Sequence, residues 1–118
     1  MGKFLIKKVP TGFKFDLKDK FGDMVATSEV YTTKAACIKG IHSVITIAPK
    51  APVAADGETV SNPKFETFQD KRGQFRFRLR SRNGKIIAIS EAHMTAYGCN
   101  RAIEAVRGSI PTATIEEQ

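Results

Sequence analysis

Residues 13–18, Phe-Lys-Phe-Asp-Leu-Lys, alternate strictly between apolar and charged side chains, and residues 75–80, Phe-Arg-Phe-Arg-Leu-Arg, repeat the alternation. A period of two marks a strand with one buried and one solvated face. It turns Phe13, Phe15, Leu17, Phe75, Phe77 and Leu79 inward, and Lys14, Asp16, Lys18, Arg76, Arg78 and Arg80 outward. Residues 3–8 place Phe4 and Ile6 on one side and Lys3, Leu5 and Lys7 on the other. Residues 10–12, 19–22 and 81–84 carry turn chemistry. Asn83-Gly84 is the strongest hairpin signal, because both residue types accept positive φ. Third strands are expected over 23–28 and 85–90. The period then changes. Cys37, Ile41 and Val44 fall at i, i+4 and i+7, as do Cys99, Ile103 and Val106. That spacing predicts amphipathic helices over 33–44 and 95–106, the first capped by Thr32 or Thr33. Short extended pieces follow Pro49 and Pro111, so each half reads β-β-β-α-β.

The two halves are copies. With a shift of 62, Phe13, Phe15 and Leu17 meet Phe75, Phe77 and Leu79, and Ser28-Glu29 meets Ser90-Glu91. Cys37, Ile41 and Val44 meet Cys99, Ile103 and Val106, and Pro49 meets Pro111. Before Phe13 the shift is 61, so Phe4 meets Phe65 and Gly12 meets Gly73. The extra residue sits at a turn, where insertions are tolerated. Residues 51–63 are rich in small residues, Pro, Gly and Asn, as a connection is. The expected organisation is one pseudo-twofold domain over 1–118, with repeat one at 2–56, a linker at 57–63 and repeat two at 64–118. A unit of this size is marginal alone, which favours two units sharing one core.

In combination these residues resemble the YegP-like family of small bacterial and archaeal proteins. The first copy carries residues 12–18, Gly-Phe-Lys-Phe-Asp-Leu-Lys, then Ser28-Glu29, Tyr31, Lys34, Gly40-Ile41, Ser43-Val44 and Ala48-Pro49. The second carries Gly73, residues 75–80, Asn83-Gly84, Ser90-Glu91 and Ala102-Ile103. It departs from the pattern at His93, which stands for Tyr, at Ala96 for Lys and at Ala102 for Gly; in copy one Phe21 stands for the turn Asn. The resemblance implies an α+β fold. Two β-β-β-α-β repeats would form one shared antiparallel sheet with two helices on one face, their C-terminal strands exchanged between repeats. It also implies a monomer, because the second copy takes the place of a dimer partner. It implies no activity.

Composition narrows the classes. The 118 residues are 42% hydrophobic and 26% charged, near the globular average, which argues against disorder or coiled coil. No apolar run approaches the roughly 18 residues of a membrane span. The 19 Lys and Arg exceed the 12 Asp and Glu by a net +7, with a pI near 9.7. Such a surplus draws a domain toward polyanions. The candidates for that contact are Arg76, Arg78, Arg80 and Arg82 in copy two, with Lys14 and Lys18 in copy one. The alternative for the same residues is a solvated sheet face protected by charge from edge aggregation.

No constellation for catalysis is apparent. Ser28-Glu29 and Ser90-Glu91 stand before the helices, where carboxylates suit the dipole and serines take up free N–H groups. His42 and His93 are single and differently placed in the two copies, which leaves no triad. Cys37 and Cys99 have no C-x-x-C partner and lie on the apolar stripes, so they read as reduced core residues. No metal or cofactor is expected. The leading expectation is a non-enzymatic, cytosolic binding domain whose basic sheet face meets nucleic acid or an acidic protein, with no membrane contact. A second class is a small enzyme or ligand-binding protein with a site at the junction of the repeats, built from Glu29, Glu91, Tyr31 and His93. A third is a passive structural or stress-associated protein.

Overall fold

Every alternating segment becomes a strand and both i, i+4, i+7 stripes become helices. The structure, a computed structural model, describes residues 2–55 and 57–118. The order is β1 (Lys3–Val9), β2 (Gly12–Lys18), β3 (Met24–Thr27), α1 (Lys34–Ile47), β4 (Val53–Ala55), β5 (Lys64–Gln69), β6 (Phe75–Arg80), β7 (Ile86–Ser90), α2 (Ala96–Ser109) and β8 (Thr114–Glu117). Asp56, the expected end of repeat one, lies outside the described residues.

One eight-stranded sheet runs β4-β5-β6-β7-β3-β2-β1-β8. The two meanders meet at β3 and β7, where Thr27 pairs antiparallel with Ile89. These two residues are repeat equivalents, so the pseudo-twofold axis passes between them. The strand exchange is present: β4 of repeat one pairs with β5 of repeat two, and β8 of repeat two pairs with β1 of repeat one. Both exchanged pairs are parallel, which makes the sheet mixed rather than antiparallel throughout. They are also the edges, and at three and four residues they offer little free ladder to another chain.

Both helices cover one face. Phe4, Ile6, Phe15, Leu17, Phe65, Phe77 and Leu79 from the sheet join Cys37, Ile41, Val44, Cys99, Ile103 and Val106 from the helices in a single buried cluster. Phe4 and Phe15 meet edge-on at 5.7 Å and 73°, and Phe65 and Phe77 at 5.6 Å and 75°. The duplication thus extends to ring geometry. Burial of each such ring contributes about 1.5–3 kcal/mol. Thr33 and Thr95 cap the helices, each accepting from the backbone N–H three residues on, at 3.1 and 2.9 Å. The helices run three residues past the last residue of each stripe. Ala48 and Ile110, just before Pro49 and Pro111, keep right-handed helical dihedrals as C-caps, and Ile45, Ile47 and Ile110 still pack in or against the core.

Two local features differ from expectation. Gly84 has φ of 83°, but no residue other than glycine has positive φ among those described. The Asn83-Gly84 turn is therefore a longer hairpin closed by Ser81 N–H to Lys85 O at 2.9 Å, with only Gly84 in the left-handed region. Ser28 and Ser90 do not serve the helix ends. Ser28 Oγ accepts from Phe15 N–H at 2.9 Å and Ser90 Oγ from Phe77 N–H at 2.8 Å. Each buried serine satisfies a strand amide where the backbone ladder loses its partner.

Candidate functional site

The face of the sheet away from the helices carries the outward side chains of every strand. Registers pair Lys3 with Lys18, Leu5 with Asp16, and Lys7 with Lys14 in repeat one. They pair Lys64 with Arg80, Glu66 with Arg78, and Phe68 with Arg76 in repeat two. The same architecture thus presents two different charge patterns.

In repeat two the arginines are held. Glu66 accepts from Arg78 Nε and, at 3.0 Å, from Arg80 Nε, and Lys64 Nζ lies 3.5 Å from its other oxygen. Arg78 also lies over the Phe68 ring at 4.4 Å. Arg76 Nε donates to Asp70 Oδ2 at 3.0 Å. Burial acts to raise the Glu66 carboxyl, but the hydrogen bonds and charges of Arg78 and Arg80 outweigh it and hold the group down at about 2. Asp70 is lowered too: burial opposes the shift, while the Gln74 and Arg72 amides and the Arg76 side chain favour the carboxylate. Three of the sequence-derived candidates are therefore partners in an internal network. Sequence reasoning missed Glu66 as the hub, because residues 64–68, Lys-Phe-Glu-Thr-Phe, do not alternate and only the register of β5 on β6 places Glu66 opposite Arg78.

In repeat one the pattern is looser. Asp16 is fully buried mid-face, ion-paired with Lys7 at 2.5 Å and accepting from Thr27 Oγ1 at 2.8 Å. Lys3 Nζ lies 3.7 Å from Glu116 of the exchanged strand. Lys14 and Lys18 have no carboxylate within 4 Å among the described residues, although each faces another lysine across the ladder. Like charges directly opposed on a sheet are destabilising.

The junction residues separate into two pairs. β3 and β7 run antiparallel, and Glu91 N–H donates to Val25 O at 3.1 Å. Glu91 therefore sits four strand positions from Glu29, about 13 Å along the ladder. Glu29 instead meets Lys85 at 3.2 Å. Tyr31 stacks on Phe15 at 6.4 Å and 15°, with Lys85 Nζ 5.7 Å from its ring centroid. Burial, then Glu29, then Cys37 raise the Tyr31 hydroxyl. His93 occupies the equivalent place at the opposite end of the axis, bridged to Phe75 as Tyr31 is to Phe13. The quartet does not meet as one cluster. Cys37 and Cys99 are buried, and burial raises both thiols, which disfavours the thiolate.

Sequence reasoning missed a groove of about 630 Å³ on the helix side, lined by α1 of repeat one and the β6–β7 hairpin of repeat two. Tyr31, Lys39, Gly40 and Ser43 form one wall, and Arg82, Asn83 and Lys85 the other. Arg82 belongs here, at a hairpin tip, rather than to the row of Arg76, Arg78 and Arg80. Gly40 makes room for Tyr31: a Cβ at that position would lie 2.3 Å from the Tyr31 hydroxyl. In copy two His93 and Ala102 stand at the positions equivalent to Tyr31 and Gly40, so ring and helix residue differ together. That paired substitution was the available signal. Among the described residues no helix is long and apolar enough to cross a membrane, and no group of three or more His, Cys, Asp or Glu could hold a metal ion.

Comparison with known proteins returns one consistent group. A family profile described as a domain of unknown function (DUF1508) matches residues 11–58 and again 70–117. A UPF0339 protein of Treponema denticola is 46% identical over 54 residues, which span 46% of this chain and 93% of that protein, so the relative is about one repeat long. The UPF0339 protein YegP of Escherichia coli O157:H7 is 30% identical over 113 residues, covering 96% of this chain and 93% of YegP. The solution NMR structure of E. coli YegP, a protein of unknown function, superposes with a TM-score of 0.82 at 29% identity, covering 99% of this chain and 92% of that one.

Proposed function

The chain belongs to the DUF1508 family, as a two-repeat member, and on that premise we propose that it is a non-enzymatic binding domain whose uncovered sheet face holds a polyanion backbone. The observation that carries the reading is the two pairs of opposed lysines in repeat one. Lys7 faces Lys14 and Lys3 faces Lys18, yet only Lys7 and Lys3 have acidic partners among the described residues. Packing does not call for the charges of Lys14 and Lys18. Their repulsion is relieved when an anion lies across the face. Lys14 and Lys18 stand four residues apart on β2, about 13 Å, near four times the roughly 3.4 Å per-strand phosphate spacing. A nucleic-acid backbone therefore fits the row better than a compact acidic protein patch. The proposal places the domain in the cytosol as a monomer, with repeat two filling the place of a dimer partner.

The test is a salt titration of binding to single- and double-stranded oligonucleotides. Lys14→Glu/Lys18→Glu should weaken binding and lower the slope of log K against log salt by about two. Equal, weak binding by wild type and variant at about 50 mM salt would end the reading. Replacement of Arg78 and Arg80 is a poor substitute, because it strips Glu66 of its partners and unsettles the fold.

A further inference from the structure

We propose that the groove between α1 and the β6–β7 hairpin binds a small phosphate monoester of about mononucleotide size. The site lies on the helix side of the sheet, away from the opposed lysines, and stands independently of the polyanion reading.

Three cations line the groove: Lys39 from repeat one, with Arg82 and Lys85 from repeat two. Lys85 is shared with Glu29 and the Tyr31 ring. Lys39 and Arg82 are exposed and have no carboxylate partner among the described residues. Both also line a smaller continuation of about 290 Å³ along α1, beside His42 and Thr46. Lys39 and Ser43 stand one helical turn apart on the same face, opposite the Asn83 amide. No carboxylate lines either cavity. A dianion held by an arginine fork, two ammonium groups and neutral donors matches this lining. A carboxylate monoanion leaves positive charge uncompensated. The remaining walls are apolar, Ile47 and Ile87 with the flank of Tyr31, and they accept a ring. The volume suits a small ligand of that kind.

The pseudo-symmetric mate shows that the fold does not require this chemistry. A shift of 62 takes Ser81, Arg82, Asn83 and Lys85 to Asp19, Lys20, Phe21 and Asp23, and takes Lys39 and Ser43 to Arg101 and Ala105. The mate therefore sets two acids against two bases and loses two polar donors. The same scaffold closes both junctions, and only one is uniformly cationic.

The experiment is a ¹H–¹⁵N NMR titration of the full chain with adenosine 5′-monophosphate and, separately, inorganic phosphate. Wild type, Arg82→Glu, Lys39→Glu and the mate-side control Arg101→Glu are compared. All three substitutions are at exposed positions, and unchanged spectra elsewhere report that the fold is kept. Saturable shifts are expected at Tyr31, Gly40, Ser43, Asn83 and Lys85. The nucleotide should bind about tenfold or more tightly than phosphate, Arg82→Glu and Lys39→Glu should each cost about tenfold or more, and Arg101→Glu less than about twofold. The proposal is overturned by no saturable shift up to about 10 mM nucleotide, by equal affinity for nucleotide and phosphate, or by equal losses in Arg82→Glu and Arg101→Glu.

Discussion

Repeat one and repeat two build the same meander, pack the same phenylalanine pair and cap the same helix, yet they hold their charge in different ways. On the sheet face of repeat two, Arg76, Arg78 and Arg80 are tied to Asp70 and Glu66. On the face of repeat one, Lys14 and Lys18 are opposed only by lysines. The helix side differs as well, with three cations at one junction and a balanced set at the other. A duplicated scaffold can keep its core positions fixed while its surface positions diverge, because surface substitutions cost little. The richer arginine row is thus tied into the structure, whereas Lys14 and Lys18 of the sparser row have no carboxylate within 4 Å among the described residues.

The comparison is broken most forcefully at Glu66. Glu66→Ala should destabilise the domain by about 2–4 kcal/mol, because three clustered cations lose their common anion. Lys14→Ala should stay within about 0.5 kcal/mol of wild type. Urea denaturation of the two variants measures the contrast, and equal effects would erase it. The pH dependence carries the same signature. The Glu66 carboxyl is depressed in the folded state, so its contribution is complete above the ordinary carboxylate range. It is lost as pH falls from about 4.5 toward about 2. Glu66→Gln should flatten stability across that window.

A smaller effect is expected at the helix–ring contact. Gly40→Ala drives a methyl group into the Tyr31 hydroxyl and should cost about 1–3 kcal/mol. Tyr31→His in that background reproduces the His93–Ala102 pair of repeat two and should restore at least about half of the loss. A double-mutant cycle reads the coupling. Additive effects would show that the two positions diverged independently.

Much of the fold was legible in the sequence, because alternation and the stripes of Cys37, Ile41 and Val44 respond directly to burial. The parallel edges were not, since nothing in residues 53–55 or 114–117 reports the direction of a neighbour. The surface chemistry was legible only in part. Periodicity turned Arg76, Arg78 and Arg80 outward, but their pairing with Glu66 depends on the register of a strand 12–14 residues away. The groove was hidden for a related reason. It is made by the helix of one repeat and the hairpin of the other, and the strand order that brings them together is not local information. The separation of Glu29 from Glu91 also follows from the register of β3 on β7, which the chain fixes only when both repeats have folded.

The central claim is that repeat one, rather than the arginine-rich repeat two, presents the polyanion-binding face. Backbone amide mapping with a single-stranded oligonucleotide of about 12 nucleotides at low salt tests it most directly. The account predicts shifts centred on Lys7, Lys14 and Lys18 in β1 and β2. Shifts centred on Arg76, Arg78 and Arg80, or none on either half, would contradict it.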